Sequence, residues 1–418
     1  MNKTAISLFK QKAMQLASTF EVCCCLDSNN YTDPYSQYSY LIAFGIQDEI
    51  KTDAGEAFRV LKSFYENNKD WMFGFFSYEL KNETEQLNTN HKDQLNFPDL
   101  YFFIPQFLIV LQGDEIKVLR GDEGIIETIN KVSLTHYLPS AEVKIESRFD
   151  KKAYINTVEK LQAHIKRGDI YEINFCQEFF ANNAKINPLA VYQQLNELSP
   201  TPFAGFFKIY DQYILSATPE RFLCKRGNQL ISQPIKGTAK RSTDLIEDEN
   251  IKVNLKSSIK EQAENVMIVD LVRNDLTKSA VKGTVKVDEL FGIYTFPQVH
   301  QMISTISCEL SPEVHFIDAI KNTFPMGSMT GAPKIKAMQL IDTYEKSKRG
   351  VFSGSFGCIS PDGDFDFNVI IRSILYNSAS RYLSFQVGGA ITYAAKAEDE
   401  YEECLLKASA ILKVLGQV

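Results

Sequence analysis

A chain of 418 residues with 44% hydrophobic and 23% charged side chains is globular, with material for a large core or two closely packed domains. Its formal charge of -7 excludes a broad nucleic-acid surface, so any anion it binds must be met by a local cluster of Lys and Arg or by a bridging cation. No run of about 18 apolar residues is present and the stretch MNKTAISLFKQKAMQLASTF lacks a secretory cleavage site, which predicts a cytoplasmic protein.

In chain order, the first 145 residues alternate strand-like stretches (YSYLIAFGI, WMFGFFSYEL, YFFIPQFLIVLQGDEIKVL) with polar segments, of which KNETEQLNTNHKDQLN at 81–96 reads as a surface loop. From 146 to 418 the pattern sharpens into a second region. It opens with an amphipathic helix (FDKKAYINTVEKLQAHIKRGD), a strand (IYEINFCQEFFA), an Asn-Pro helix (NPLAVYQQLNEL) and a hairpin (FAGFFKIYDQYILSA). Further strands joined by short turns indicate antiparallel pairing with helices outside, an α+β fold built on large antiparallel β-sheets. The eight cysteines, three of them adjacent at 23–25, have no C-x-x-C or Cys/His metal spacing and read as buried free thiols. No G-x-G-x-x-G or Walker loop is present, and GSMTGAPK at 327–334 has the wrong spacing for a phosphate loop.

Two helical stretches carry glutamates three apart: Glu261 and Glu264 in SSIKEQAENVMIVDLVRNDL, and Glu400 and Glu403 in AEDEYEECLLKASAILKVL, with Lys407 four further on. Each pair shares a helix face. Exposed glutamate pairs are common; alternatively, two such helices meeting at one point would offer oxygen ligands to Mg2+. Lys236, in QPIKGTAKR, is equally open: a loop lysine is usually a solvated charge.

Read together, TPERF (218–222), PIKGT (234–238), AENVMIVDLVRNDL (263–276), FPMGSMTGAPKIKAMQLID (324–342), FNVIIRSI (367–374) and EYEECLLKA (400–408) resemble, in order, spacing and content, the chorismate-utilising enzymes. The resemblance is strong over about 148–415 and reaches the N-terminal region. It implies a β-sandwich flanked by helices, with chorismate and Mg2+ in a cleft. Glu264 and Glu403 then match the metal ligands, with Glu261 and Glu400 beside them. Arg372 and Lys407 match contacts to substrate carboxylates, and Gly388, Gly389 and Ala390 a turn whose N–H groups face one. A dianion in an acidic protein needs such donors gathered in one pocket.

Within the family, members that add water to the ring have a lysine base where this chain has Glu172, and members that form anthranilate have P-I-A-G-T where this chain has Lys236. The lysine marks the branch that forms 4-amino-4-deoxychorismate. There its amine attacks ring carbon 2 and expels the carbon 4 hydroxyl; ammonia then adds at carbon 4 and displaces the lysine from carbon 2. Glu220 matches the acid that protonates the hydroxyl. The segment FLCKRGNQLISQP, turning at Gly227-Asn228, returns Lys236 toward Glu220. Lys240 and Arg241 are candidate cations that would lower the pKa of Lys236. Gly237 shapes the loop and Thr238 is expected to hydrogen-bond substrate; His300 matches a family histidine near the ring, and Lys334 borders the cleft or pairs with a carboxylate as structure. Cys358, Glu172 and Ala390 depart from the family pattern. The chain has no glutaminase module, so the resemblance implies a separate glutamine amidotransferase partner, with no nucleic acid and no membrane. CLDS (25–28) and DPYS (33–36) stand where relatives bind tryptophan. The competing readings are an anthranilate-forming enzyme with an atypical lysine and a non-catalytic chorismate-binding subunit.

Overall fold

The computed structural model describes all residues except 1–2, 86, 88–90, 114, 136–142, 298 and 418. Its strands form one branched antiparallel network, and the long strand Leu100–Gln112 is where it forks. In one direction the pairing passes Tyr40–Thr52, Val22–Asp27, Ala204–Ile209, Gln212–Ser216, Ser373–Asn377 and Tyr382–Ile391, ending at Glu172–Ala181. In the other it passes Met72–Phe76, Ser355–Ile359, Phe365–Asn368, Arg221–Arg226 and Gln229–Gln233, ending at Val299–Glu309, which also carries Ile235–Lys240 and Lys286–Thr295. The two ends come back together: Lys236 on one donates to Glu172 on the other across 2.8 Å.

Apolar runs explain why the middle strands sit where they do. Side chains alternate faces along a strand, so a strand covered on both sides reads as continuously apolar. In VCCCLD, Val22 and Cys24 enter one hydrophobic core while Cys23 and Cys25 enter the other. Tyr40, Ile42 and Phe44 divide from Leu41 and Ala43 in the same way. Small, apolar, two-faced packing accounts for the cysteine triplet. All eight cysteines are free and buried, and burial pushes the Cys23 thiol up to about 12.

Phe207 lies at the aromatic centre of one core, 1% exposed, with its ring edge-on to Phe75, Tyr101, Phe103 and Phe356. Phe207→Ala is expected to lower unfolding free energy by about 3–5 kcal/mol, because the site is ringed by β-strands that close poorly over a void. A denaturant midpoint unchanged at constant slope would contradict this.

Two helices frame the site. Ser258 caps Ile259–Thr277 by accepting from the Glu261 N–H at 3.4 Å, a box-like start that sets Glu261 and Glu264 in the first turns. That helix packs on Ile235–Lys240 and Val299–Glu309, and Ala397–Val414 packs on Tyr382–Ile391. No described helix is long and apolar enough to cross a membrane. The segment at 81–96 differs from the expected surface loop: its start is a short helix, Lys81–Thr84, and Lys81 is 2% exposed and paired with Glu79 at 2.6 Å. Residues 86 and 88–90 of it lie outside the described residues.

Candidate active site

One cavity between the converging sheet ends gathers most of the expected residues: Glu220, Lys236, Gly237, Thr238, Glu261, Glu264, Arg372, Gly388, Gly389, Ala390, Glu400, Glu403 and Lys407. The hairpin Arg221–Arg226 to Gln229–Gln233 turns at Gly227, which has φ +57, and carries the chain from Glu220 back to Lys236. Gly237 follows with φ +91, a backbone angle that favours glycine, and a Cβ there would press on the Glu261 carboxylate at 3.0 Å.

Lys236 is buried, and its ammonium is held by Glu172 Oε1 at 2.8 Å. Burial alone would lower its pKa, but Glu172, Glu264 and Glu220 outweigh that and hold it above the usual lysine value. The expectation of neighbouring cations is therefore corrected. Arg241 turns away to pair with Asp248, and Lys240 is exposed. Glu172 is fully buried and paired with Lys236, so its charge is compensated within the protein.

Glu220 is buried, and desolvation pushes its carboxyl up to about 7, against the Ser328 hydroxyl, Lys236, the Ile235 N–H and Arg372, which pull it down. It is thus part protonated at neutral pH. Arg372 faces the same cavity from a residue with φ 50, and burial lowers its pKa. Its guanidinium makes no ion pair among the described residues, leaving its donors for a ligand. Lys407 is committed to Glu403 at 2.7 Å and to the Gly388 carbonyl at 2.8 Å. Gly388, Gly389 and Ala390 lie in a strand paired with Cys176, Phe175 and Asn174, so the expected turn is instead extended backbone. The strand approaches closely there: a Cβ on Gly388 would strike the Phe175 carbonyl at 2.2 Å.

The four glutamates form an acidic wall. Lys260 stands 3.6 Å from Glu400 and 3.9 Å from Glu264, but burial still pushes Glu264 up to about 7 and raises Glu261 and Glu400. Glu264 Oε1 is buried without a hydrogen-bond partner. Glu403 differs, since Lys407 holds its carboxyl below the usual value, but the hard oxygens of the other three face the cavity under-compensated and fit a hard divalent cation. Among the described residues no group of three ligands is preassembled. Mg2+ is commonly bound by one or two protein carboxylates, with water and ligand oxygens completing its shell.

His300 and Lys334 do not line this cavity. His300 is fully buried between Asp248, at 2.9 Å from Nε2, and Thr295, at 3.0 Å from Nδ1. Lys334 is bound to Asp275 at 2.8 Å and to the Thr323 carbonyl at 3.1 Å. Strand alternation turns the next residue, Gln301, into the cavity, opposite Thr238 in the ladder. Gln301 was not anticipated, although a strand reading of FPQVHQMISTI places it on the face opposite His300. Asn174, Ser328 and Lys260 also line the cavity unanticipated; Lys260 was legible as the residue four before Glu264. Cys358 lies elsewhere, in a second cavity with Asp27, Ser28, Ser36, Trp71 and Arg221, which brings together parts of CLDS and DPYS.

Fold and site define a pocket between the sheet ends lined by a guanidinium, lysine ammonium groups and carboxylates. A model of the chorismate binding enzyme family matches residues 21–413, and the chain belongs to that family. It is 33% identical over 347 residues to aminodeoxychorismate synthase component 1 of Escherichia coli, covering 82% of this chain and 76% of that one. It is 30% identical to anthranilate synthase component 1 of Bacillus subtilis, covering 94% and 87%. The crystal structure of anthranilate synthase component I from Streptococcus pneumoniae superposes with a TM-score of 0.79 at 24% identity, over 92% of this chain and 93% of that one, showing a common fold.

Proposed function

We propose that the protein is an aminodeoxychorismate synthase component I, converting chorismate and ammonia to 4-amino-4-deoxychorismate on the route to 4-aminobenzoate and folate. The observation that carries this reading is Lys236, a buried amine in the same cavity as a carboxylic acid near pH 7 and four glutamates. The amine attacks ring carbon 2, the conjugated double bonds shift, and the carbon 4 hydroxyl departs as water with the Glu220 proton. Hydroxide is a poor leaving group, so a neutral acid is needed there. Ammonia then adds at carbon 4 and releases Lys236. Arg372 and the Gly388–Ala390 backbone hold the substrate carboxylates. Mg2+, held by Glu264 and Glu403 with Glu261 and Glu400 beside them, would neutralise substrate charge.

Relatives named component 1 imply a second component; we assign it to a glutamine amidotransferase that supplies ammonia, with free ammonium as a substitute. The test is the purified chain with chorismate, Mg2+ and ammonium, followed by product mass and fluorescence. A product that keeps its enolpyruvyl group and carries nitrogen at carbon 4 supports the reading. Fluorescent anthranilate with released pyruvate would sink it.

Arg372→Gln is expected to raise the chorismate KM by roughly 10- to 100-fold, the loss of a charge-assisted contact of about 1.5–3 kcal/mol. An unchanged KM would remove Arg372 from the substrate contacts.

A further inference from the structure

The proposed chemistry needs a neutral Lys236, whereas the free site holds it as an ammonium. Glu172 is its direct partner, fully buried at the start of the strand Glu172–Ala181, with Oε1 on the Lys236 ammonium at 2.8 Å and Oε2 buried and without a hydrogen-bond partner. The other charged groups facing Lys236 are Glu220 and Glu264, with Glu261, Lys260 and Arg372 further around the cavity. Glu220 must keep its proton for the leaving hydroxyl, and Glu264 faces the cation position with Glu261. That leaves one carboxylate in contact with the amine and free to change state.

We propose that Glu172 accepts the Lys236 proton as the amine attacks ring carbon 2 and returns it when ammonia displaces the amine. This rests on the reading of Lys236 as nucleophile. The balance closes. Lys236 passes one proton to Glu172, and the nitrogen–carbon 2 bond forms as the carbon 4–oxygen bond breaks, water leaving with the Glu220 proton. Ammonia forms the carbon 4 bond as the carbon 2–nitrogen bond breaks. Glu172 then reprotonates the freed amine, and Glu220 recovers a proton from the new ammonium. Net, chorismate and ammonia give the aminated ring and water.

The experiment follows the ring adduct on Lys236 by quench and intact-protein mass, with chorismate and Mg2+ but no ammonium, from pH 6 to 9.5. Wild type, Glu172→Gln, Glu172→Asp and Lys236→Ala are compared. The ratio of the Glu172→Gln rate to the wild-type rate cancels the Glu220 contribution, since both chains retain that acid. It is expected to be about 10^-2 at pH 7 and to climb toward one in alkali, as solvent takes over the deprotonation. Glu172→Asp should recover part of the rate at pH 7. A ratio that does not change with pH, whether near one or far below it, overturns the inference: the first means no role, the second a packing role. Absence of any adduct in wild type overturns the nucleophile reading and this inference with it, whereas a wild-type adduct lost in Lys236→Ala with a level ratio overturns the inference alone.

Discussion

Lys236→Ala is expected to lower amination of chorismate by about 10^3-fold or more and to abolish the covalent ring adduct, while leaving the chain folded and chorismate still bound. The size follows from what the residue does. Removing a contact costs a factor of ten or so, but removing the attacking atom removes the route itself. The fold should survive because Lys236 sits at the cavity edge of the strand Ile235–Lys240, whose ladder bonds to Val299–Glu309 come from backbone. One complication is built into the site. The substitution strands Glu172, already fully buried with one oxygen unpaired. A modest stability loss is therefore expected, and Lys236→Ala/Glu172→Gln should recover it without recovering turnover. Steady-state rates with ammonium, intact mass and a denaturant series on both variants check all three outcomes. Unchanged turnover in Lys236→Ala would overturn the lysine route and return the anthranilate-type mechanism to the front.

Glu220→Gln is expected to cost about 10^2- to 10^4-fold in kcat with little change in chorismate KM, the range for losing a positioned general acid. Its pH signature is sharper than its magnitude. Burial pushes the folded carboxyl up to about 7, from the usual 4.5 of a solvated glutamate. As an acid it works only while protonated, so wild-type kcat/KM should fall as pH rises through about 7, and the Gln variant should lose that limb. The linkage runs in the same direction. Between about 4.5 and 7 the folded state holds a proton that the unfolded chain has released, so stability from this group is present at the acid end of that window and lost as pH rises through it. A Gln variant with the wild-type alkaline limb intact would assign the titration to another group.

Much of this site was legible because its chemistry is local in sequence. Glutamates three apart share a helix face, and Ser258 with Glu261 marks where that helix begins. Gly227-Asn228 between two apolar runs places a turn that returns Lys236 beside Glu220. What was not legible depends on partners far along the chain. Nothing near QPIKGTAKR shows that its lysine meets a glutamate 64 residues earlier, so the neighbouring Lys240 and Arg241 were the natural but mistaken candidates for setting its charge. The extended form of Gly388–Ala390 follows from pairing with Phe175 and its neighbours, and three small residues alone suggest a turn. The facing of His300 and Gln301 is a parity question. A strand shifted by one residue exchanges the two, and only the ladder with Thr238 fixes which side chain enters the cavity.

The forked sheet also bears on how the chain could be shortened. Strands from the first 112 residues are not an appendage on a catalytic body; they are the splice between its halves. Val22–Asp27 covers the edge of Ala204–Ile209, and Met72–Phe76 covers the edge of Ser355–Ile359. A fragment starting near residue 146 would bare both edges, each lined with buried aromatic side chains such as Phe206, Phe207 and Phe356. Open apolar edges recruit other strands. Such a fragment would carry every proposed reacting residue, yet it would be expected to aggregate before it could turn over substrate.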